Sequence, residues 1–451
     1  MAKKPSSRFA CTNCGATTSA WAGRCPQCGE WNTLEEEVPI VTAVHGRTLS
    51  SGQALKPQLV SELVAEDQKR LPTGIADVDV ILGGGIVAGS VNLIAGQPGI
   101  GKSTLLLQLA YQVAGHASVL YVSGEESAHQ IGMRASRLGA TRSNLQLATS
   151  SSADDIAATI ASGSFNLVIV DSIQTVASKD VASSAGTVSQ ITNSTHLITA
   201  AAKQVNTAVV LVGHVTKEGS IAGPKVLEHV VDVVLQLEGD RYGGFKILRA
   251  IKNRFGSTSE AGIFEMKESG LMPVENPSAA LLEERQVSDG SVVLATLEGT
   301  RPLLVEVQAL VNKTSYGYPK RAASGIDLNR VNLLIAMLER RTNLNLAEQD
   351  VYINIVGGMR ITEPAADLAL CMAIASASRG LQLKQNAVVF GEVGLSGEVR
   401  HVPFAEKRIS EAKKMGFEAA IGPRLRIDHA DPYLRPVSSA RDALNQFLER
   451  E

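Results

Sequence analysis

The sequence lacks an excess of charge of either sign. Its 43 lysines and arginines nearly balance 45 aspartates and glutamates, leaving a formal net charge of −2. Nucleic-acid binding through bulk positive charge is thereby excluded, and any such binding must come from basic residues gathered locally. The chain also lacks an uninterrupted apolar run near the ~18–20 residues that a membrane helix needs. The basic opening, MAKKPSSRFACTNC, is followed by no apolar stretch of the signal-peptide kind. These two absences predict a cytoplasmic protein with no membrane partner. Cysteine is scarce too, with five in 451 residues. Four of them, Cys11, Cys14, Cys25 and Cys28, fall at the very start, while Cys371 sits alone in the apolar run LALCMAIA and reads as a small buried hydrophobe. Clustered cysteines in a long chain of this kind point to a metal rather than to disulfides.

What is present divides into segments. A chain of 451 residues is too long for one ordinary core and predicts two or three domains. Residues 1–34 are short, turn-rich and contain both tryptophans, Trp21 and Trp31. A polar linker over 35–58 follows. Residues 59–275 alternate short apolar runs with helical patterns: VNLIA (91–95), VLYV (119–122), LVIV (167–170), AVVLV (208–212), VVLQL (233–237) and KILRAI (246–251). The first four are bounded by turn residues and spaced for crossover helices, which predicts a mainly parallel sheet buried on both faces. Residues 276–451 form a further domain. There LLVEVQALV (303–311) and VYINIV (351–356) read as strands, and DLNRVNLLIAMLERR as a helix capped by Asp327.

The most specific motif is GQPGIGKST. Gly96, Gly99, Gly101, Lys102, Ser103 and Thr104 satisfy the phosphate-loop spacing, with Gln97, Pro98 and Ile100 completing the loop between a strand and a helix. Glycines let backbone N–H groups curl around phosphate oxygens, and the helix start adds partial positive charge. Lys102 is expected on the β/γ-phosphates of ATP and Ser103 on Mg²⁺. Asp171 ends the run LVIVD, where a carboxylate orders a water on Mg²⁺; a plain surface acid at a strand end is the alternative. In VLYVSGEES, Glu125 is the expected activator of the attacking water. Glu126 is the other choice, and two solvated acids at a helix start would do neither. His214, at the end of AVVLVGH, is either a sensor of the γ-phosphate or a structural histidine.

The cysteines are spaced Cys11-x₂-Cys14-x₁₀-Cys25-x₂-Cys28. Two such knuckles wrap one tetrahedral Zn²⁺, and a segment too small for a core would draw its folding energy from the metal. A redox pair would call for a thioredoxin-like context that is missing here.

The stretch TGIADVDVILGGGIVAGSVNLIAGQPGIGKSTLLLQLA resembles the RecA-like ATPases, including the circadian KaiC type. With KNRFG (252–256) and the cysteine knuckles added, the whole chain resembles a bacterial family of DNA-repair ATPases of that class. The resemblance implies an α/β fold. Its parts are a RecA-like P-loop ATPase core with a mainly parallel sheet, a small N-terminal zinc ribbon and a C-terminal α+β Lon-protease-like domain. It implies a ring of subunits, taken as a hexamer, with ATP between neighbours and single-stranded DNA in the channel. It also gives Lys252 and Arg254 a role in trans on the neighbour's γ-phosphate. A solvated basic strand edge is the plainer account of those two. Two Gly/Ser-rich loops, 172–190 and 216–225, are candidates for DNA contact through Lys179, Lys217 and Lys225; neither has an aromatic for stacking, so weak sequence preference is expected.

The stretch GEVGLSGEVRHVPFAEKRISEAKKMGF resembles the proteolytic domain of Lon. The catalytic serine of that pattern falls at Ala365 and the lysine at or beside Glu406, so a protease is not expected. Arg400, Lys407, Arg408, Lys413 and Lys414 form a basic cluster there, either a second DNA-facing surface or one side of a solvated helix. The expected function is a DNA-dependent ATPase of recombinational repair that translocates on single-stranded DNA and drives branch migration. Its implied partners are branched DNA, a recombinase and replication or repair proteins. The alternatives are a nucleotide-gated DNA clamp and a KaiC-like regulatory ATPase.

Overall fold

The computed structural model describes residues 8–11, 17–18, 20–31, 33–37, 70–214, 226–239, 244–315, 317–425 and 431–449. Cys14, Lys217, Lys225 and residues 38–58 of the expected linker lie outside these. Contacts divide the chain into two compact units. One comprises 1–238, 248–258 and 267–271; the other comprises 239–247, 259–266 and 272–451.

The first unit begins with a small antiparallel sheet in which Arg8–Cys11 (β1) pairs with Thr17–Thr18 (β2) and Leu34–Glu37 (β3). Among the described residues, its interior holds Cys11, Cys25 and Leu34, with Phe9 beside them. Trp21 and Trp31 face outward at 60% and 67% exposure.

Ala76–Leu82 (α1) then leads into the main sheet. Its strands are Val91–Gly96 (β4), Val119–Ser123 (β5), Leu145–Thr149 (β6), Leu167–Asp171 (β7), Ala208–His214 (β8) and Val233–Gly239 (β9). They lie in the order β9-β4-β8-β7-β5-β6, all parallel. β4, β5 and β7 are buried at every position, which explains why they read as continuous apolar runs rather than alternating ones. β6 forms the edge and is mostly exposed, and its mixed sequence LQLAT gave no such signal. Crossover helices Lys102–Val113 (α2), Ala128–Arg137 (α3), Ala153–Ala161 (α4) and Val188–Gln204 (α5) return the chain to the start of each strand. α2 buries Leu105, Leu106, Leu109, Ala110 and Val113. α3 opens with a complete capping box between Ser127 and Gln130. The short helix Val226–Val230 (α6) precedes β9.

Phe245–Asn253 (β10), Ala261–Lys267 (β11), Gly270–Pro273 (β12) and Pro277–Leu282 (α7) follow. The second unit carries Ser291–Glu298 (β13), Arg301–Lys313 (β14), Arg321–Ser324 (β15), Gln349–Ile355 (β16), Gln382–Leu383 (β17), Ala387–Val389 (β18), Glu392–Val393 (β19), Val399–Arg400 (β20), Ala419–Pro423 (β21) and Leu434–Val437 (β22). Seven of these form a mixed sheet in the order β15-β16-β14-β13-β18-β21-β22. The helices are Leu328–Thr342 (α8), Asp367–Arg379 (α9), Ala405–Lys414 (α10) and Ala440–Phe447 (α11). The Asp327 carboxylate caps α8 by accepting from Arg330 N–H at 2.9 Å. α9 is apolar on nearly every side and buried from Asp367 to Ser376, as a helix through the middle of a core must be. It ends at Gly380 in the left-handed region.

The basic cluster of the last segment is not one surface. Arg408 has no exposed area. Its guanidinium donates to both Glu363 oxygens at 2.9 and 2.6 Å and to Ala295 O at 2.6 Å. Helical periodicity turned this one cation inward, so it is withdrawn from any nucleic-acid surface. Ala365 is itself buried at 2% exposure, among Val293, Phe390 and Ile409. Among the described residues, no helix is long and apolar enough to cross a membrane.

Candidate active site and metal centre

The carboxyl ends of adjacent parallel strands meet at one edge of the main sheet, the usual place for ligands in such folds. β4 delivers the loop 96–101, and α2 starts from Gly101 at φ 117, with no side-chain cap on its first N–H groups. A side chain at Gly96 would place Cβ 2.6 Å from Leu237 O, so the loop has to begin on glycine. The result is a row of unclaimed backbone donors at a helix start, a fit for phosphate oxygens.

Lys102 is turned back onto this loop. Its Nζ donates to Gly96 O at 2.8 Å and Gln97 O at 3.0 Å, and lies 3.1 Å from His214 Nδ1. Only 4% of the residue is exposed. Burial pulls its pKa down to about 8, against the opposing pull of the Asp171 and Glu125 carboxylates. A protonated ammonium only donates, so His214 Nδ1 is the acceptor and its proton sits on Nε2. That Nε2 lies 3.4 Å from Glu125 Oε1, completing a Lys102–His214–Glu125 chain.

Glu125 and Glu126 have separate surroundings. Glu126 is held by Arg134 of α3 in a two-toothed pair at 2.6 and 2.7 Å. Glu125 Oε1 accepts from Ser172 Oγ and faces His214. Asp171 ends β7, buried, with Oδ2 accepting from Tyr121 Oη at 2.6 Å. Burial and the neighbouring Asp171 charge push the Tyr121 hydroxyl well above the ordinary tyrosine range, so it stays a donor. The peptide bond between Asp171 and Ser172 is cis. The structure thus brings Lys102, Glu125, Asp171 and His214 together, with Ser103 and Thr104 in the first turn of α2. Tyr121, Ser172 and Arg134 were not anticipated. Ser172 directly follows Asp171 and was the one readable signal; Tyr121 hides inside an apolar strand.

Lys252 and Arg254 are engaged elsewhere. Lys252 Nζ donates to Glu228 O and, at 2.8 Å, to Val231 O, at the end of α6. Partial burial, and then the Arg254 charge, lower its pKa. Arg254 pairs with Asp232 at 2.9 Å and keeps half its side chain exposed. Lys179 is exposed, with its backbone N–H on Asp154 Oδ2 at 3.1 Å.

In the N-terminal sheet, the sulfur atoms of Cys11, Cys25 and Cys28 all lie within 4.8 Å of one another, with Cys11 and Cys28 3.6 Å apart. Sulfurs sharing one tetrahedral Zn²⁺ sit about 3.8 Å apart, given Zn–S bonds of about 2.3 Å. The knuckle is closed by Gly29 N–H to Cys25 O at 3.0 Å and Cys25 N–H to Glu30 O at 2.8 Å. The Cys28 N–H and other local donors lower the Cys25 pKa, favouring the thiolate a metal needs. These residues fit a structural zinc site.

Comparison with known proteins finds three matching families along the chain. Residues 9–36 match the family described as a rubredoxin metal binding domain, 57–220 an AAA domain, and 326–425 the subunit ChlI of Mg-chelatase. The chain is 47% identical to the DNA repair protein RadA of Bacillus subtilis over 430 residues, 94% of each chain. It is 45% identical to the DNA repair protein RadA of Escherichia coli over 458 residues, 99% of each chain. The RadA of Halalkalibacterium halodurans is 47% identical over 427 residues, 94% of this chain and 93% of that one. The crystal structure of the RadB recombinase aligns with a TM-score of 0.37 at 24% identity, over 46% of this chain and 100% of that one.

Proposed function

Because the chain belongs to the RadA family of DNA repair proteins, we propose that it is a DNA-stimulated ATPase of recombinational repair. The observation that carries this is the four-residue convergence at one sheet edge: a buried lysine, a buried strand-end carboxylate, a second carboxylate and a histidine joining the lysine to it.

Each of these four residues has a role that its surroundings support. Lys102 exchanges its two loop carbonyls for the β/γ-phosphates of ATP. Ser103 would hold Mg²⁺ and Asp171 would order a water on it, and the ion would supply neutralisation of charge on those phosphates. Glu125, free of Arg134, orients and deprotonates the attacking water. When Lys102 moves to phosphate, His214 Nδ1 loses its donor, so His214 registers whether nucleotide is present. The segment after Asp171 begins with Ser172, bonded to Glu125. A strand of DNA bearing on loop 172–190 through Lys179 therefore acts on the catalytic carboxylate. Lys217 and Lys225 extend this contact. Lys252 and Arg254 complete the site of a neighbouring subunit in a hexameric ring; of the two, Arg254 has the exposed guanidinium that such a role requires. Such a ring would translocate on single-stranded DNA and drive branch migration, in company with a recombinase. Ala365 in the core, with no serine nucleophile, keeps the C-terminal unit a scaffold rather than a protease.

The test is the steady-state rate of ATP hydrolysis with and without single-stranded DNA, across a salt series. Salt-sensitive stimulation supports the proposal. A rate indifferent to DNA, in protein shown to be assembled, removes it and leaves a regulatory ATPase. Stimulation without strand displacement on a forked duplex leaves a clamp.

A further inference from the structure

The loop that leaves the catalytic strand is not held the way a mobile surface loop is held. Its first half is stitched down by backbone bonds: Ala177 N–H to Ser151 O and Ala153 N–H to Ala177 O, both 2.9 Å. Its second half closes around one side chain, Gln190 in the first turn of α5, which is 2% exposed. Gln190 Oε1 accepts from Ser178 N–H at 2.9 Å. Its Nε2 faces three carbonyl oxygens, Ser183 at 2.8 Å, Val181 at 2.9 Å and Ser178 at 3.2 Å. The backbone N–H of Ser178 can only donate, so the amide orientation is determined by its partners, and its two hydrogens are shared among three acceptors. A buried amide satisfied in this way imposes one shape on the segment that wraps it.

That shape has a consequence. With the backbone polar groups of Ser178, Val181 and Ser183 turned inward onto Gln190, Lys179, Ala182 and the segment 184–187 are left on the outside. The segment from Ser172 to Ser178 is likewise continuous: Thr175 Oγ1 donates to Ser172 O at 2.9 Å, and Ser172 Oγ donates to Glu125. We propose that Gln190 is a positioning residue that pre-shapes loop 178–187 for single-stranded DNA. The inference rests on the DNA-stimulated reading above and adds the residue through which the loop is held ready. Without the staple, the loop must be ordered when DNA binds, and ordering even a few backbone residues weakens binding at least about ten-fold.

The experiment uses the full chain and an oligo-dT single strand. Gln190→Met keeps the side-chain length and removes the amide; Gln190→Glu keeps the shape and the acceptor but removes the donor. Both should retain basal ATP hydrolysis within about two-fold, since Gln190 touches no nucleotide-site residue, while the oligo-dT concentration for half-maximal stimulation rises at least about ten-fold. A merely structural role would lower basal and stimulated rates together. In the wild-type chain, hydrogen exchange should show the Ser178 amide protected before any DNA is added, a measurement that stands even where a variant fails to fold. Folded variants stimulated at the wild-type DNA concentration, or a Ser178 amide exchanging as freely as an open loop, overturn the inference. A wild-type chain that oligo-dT does not stimulate would instead overturn the functional reading beneath it.

Discussion

Tyr121→Phe is the sharpest probe of how the strand-end carboxylate of Asp171 is held. The ring stays, so packing in the 1%-exposed pocket of Tyr121 is unchanged. Only the hydroxyl that donates to Asp171 Oδ2 at 2.6 Å is lost. A hydrogen bond to an ionised group contributes about 1.5–3 kcal/mol, and Asp171 is too buried for water to replace the partner freely. The nucleotide-binding unit should therefore melt earlier. The freed carboxylate would also lose the orientation in which the proposed function has it serve Mg²⁺. If about 1.4 kcal/mol of that orientation is lost in the transition state, kcat falls about ten-fold. ATP affinity rests mainly on the phosphate loop, so KM should move less than about two-fold. The assays are steady-state hydrolysis over a magnesium titration and scanning calorimetry. A variant with wild-type kcat, wild-type magnesium dependence and an unshifted melting transition would refute the reasoning, because Asp171 would then be held by something else.

Other predictions follow from the same contacts. Lys102 has its pKa lowered to about 8 by burial, and phosphate should raise it again, so ATP binding above pH 8 should take up a proton; calorimetry in buffers of different ionisation enthalpy reads this directly. Because the folded value lies below the unfolded 10.5, the empty unit should gain stability as pH rises through that interval. Arg408→Met should destabilise the C-terminal unit by about 3–5 kcal/mol by stranding Glu363, with partial recovery on adding Glu363→Gln, as followed by thermal melting. A chelator should remove about one zinc per chain and unfold the N-terminal sheet, and Cys25→Ser should do the same, as read by a colorimetric zinc assay and circular dichroism.

The parallel sheet was legible because β4, β5, β7 and β8 are apolar runs bounded by turns, and burial on both faces leaves no other composition open to them. The edge strand β6 was not, since it is exposed at nearly every position and so carries no continuous apolar run. In the candidate site, the phosphate loop could be placed from spacing alone. What spacing does not carry is where side chains turn. Lys102 reaches His214 across two strands that are neighbours only in the folded sheet. Tyr121 looks like any core aromatic until Asp171 of the adjacent strand is set beside it. Arg408 differs from Lys407 by one position on a helix, and that 100° of rotation decides between core and solvent.

The two tryptophans, both on the outside of the zinc module, make that module the chain's only indole fluorophore. The ATPase core and the C-terminal unit are dark at red-edge excitation. The emission of the unlabelled protein is therefore a private channel from the ribbon: quenching reports what touches it, and metal loading alters it. ATP bound in a site without indole has no direct way into that signal. A nucleotide-dependent change in emission would be direct evidence that the ribbon senses whether the phosphate-loop site is occupied.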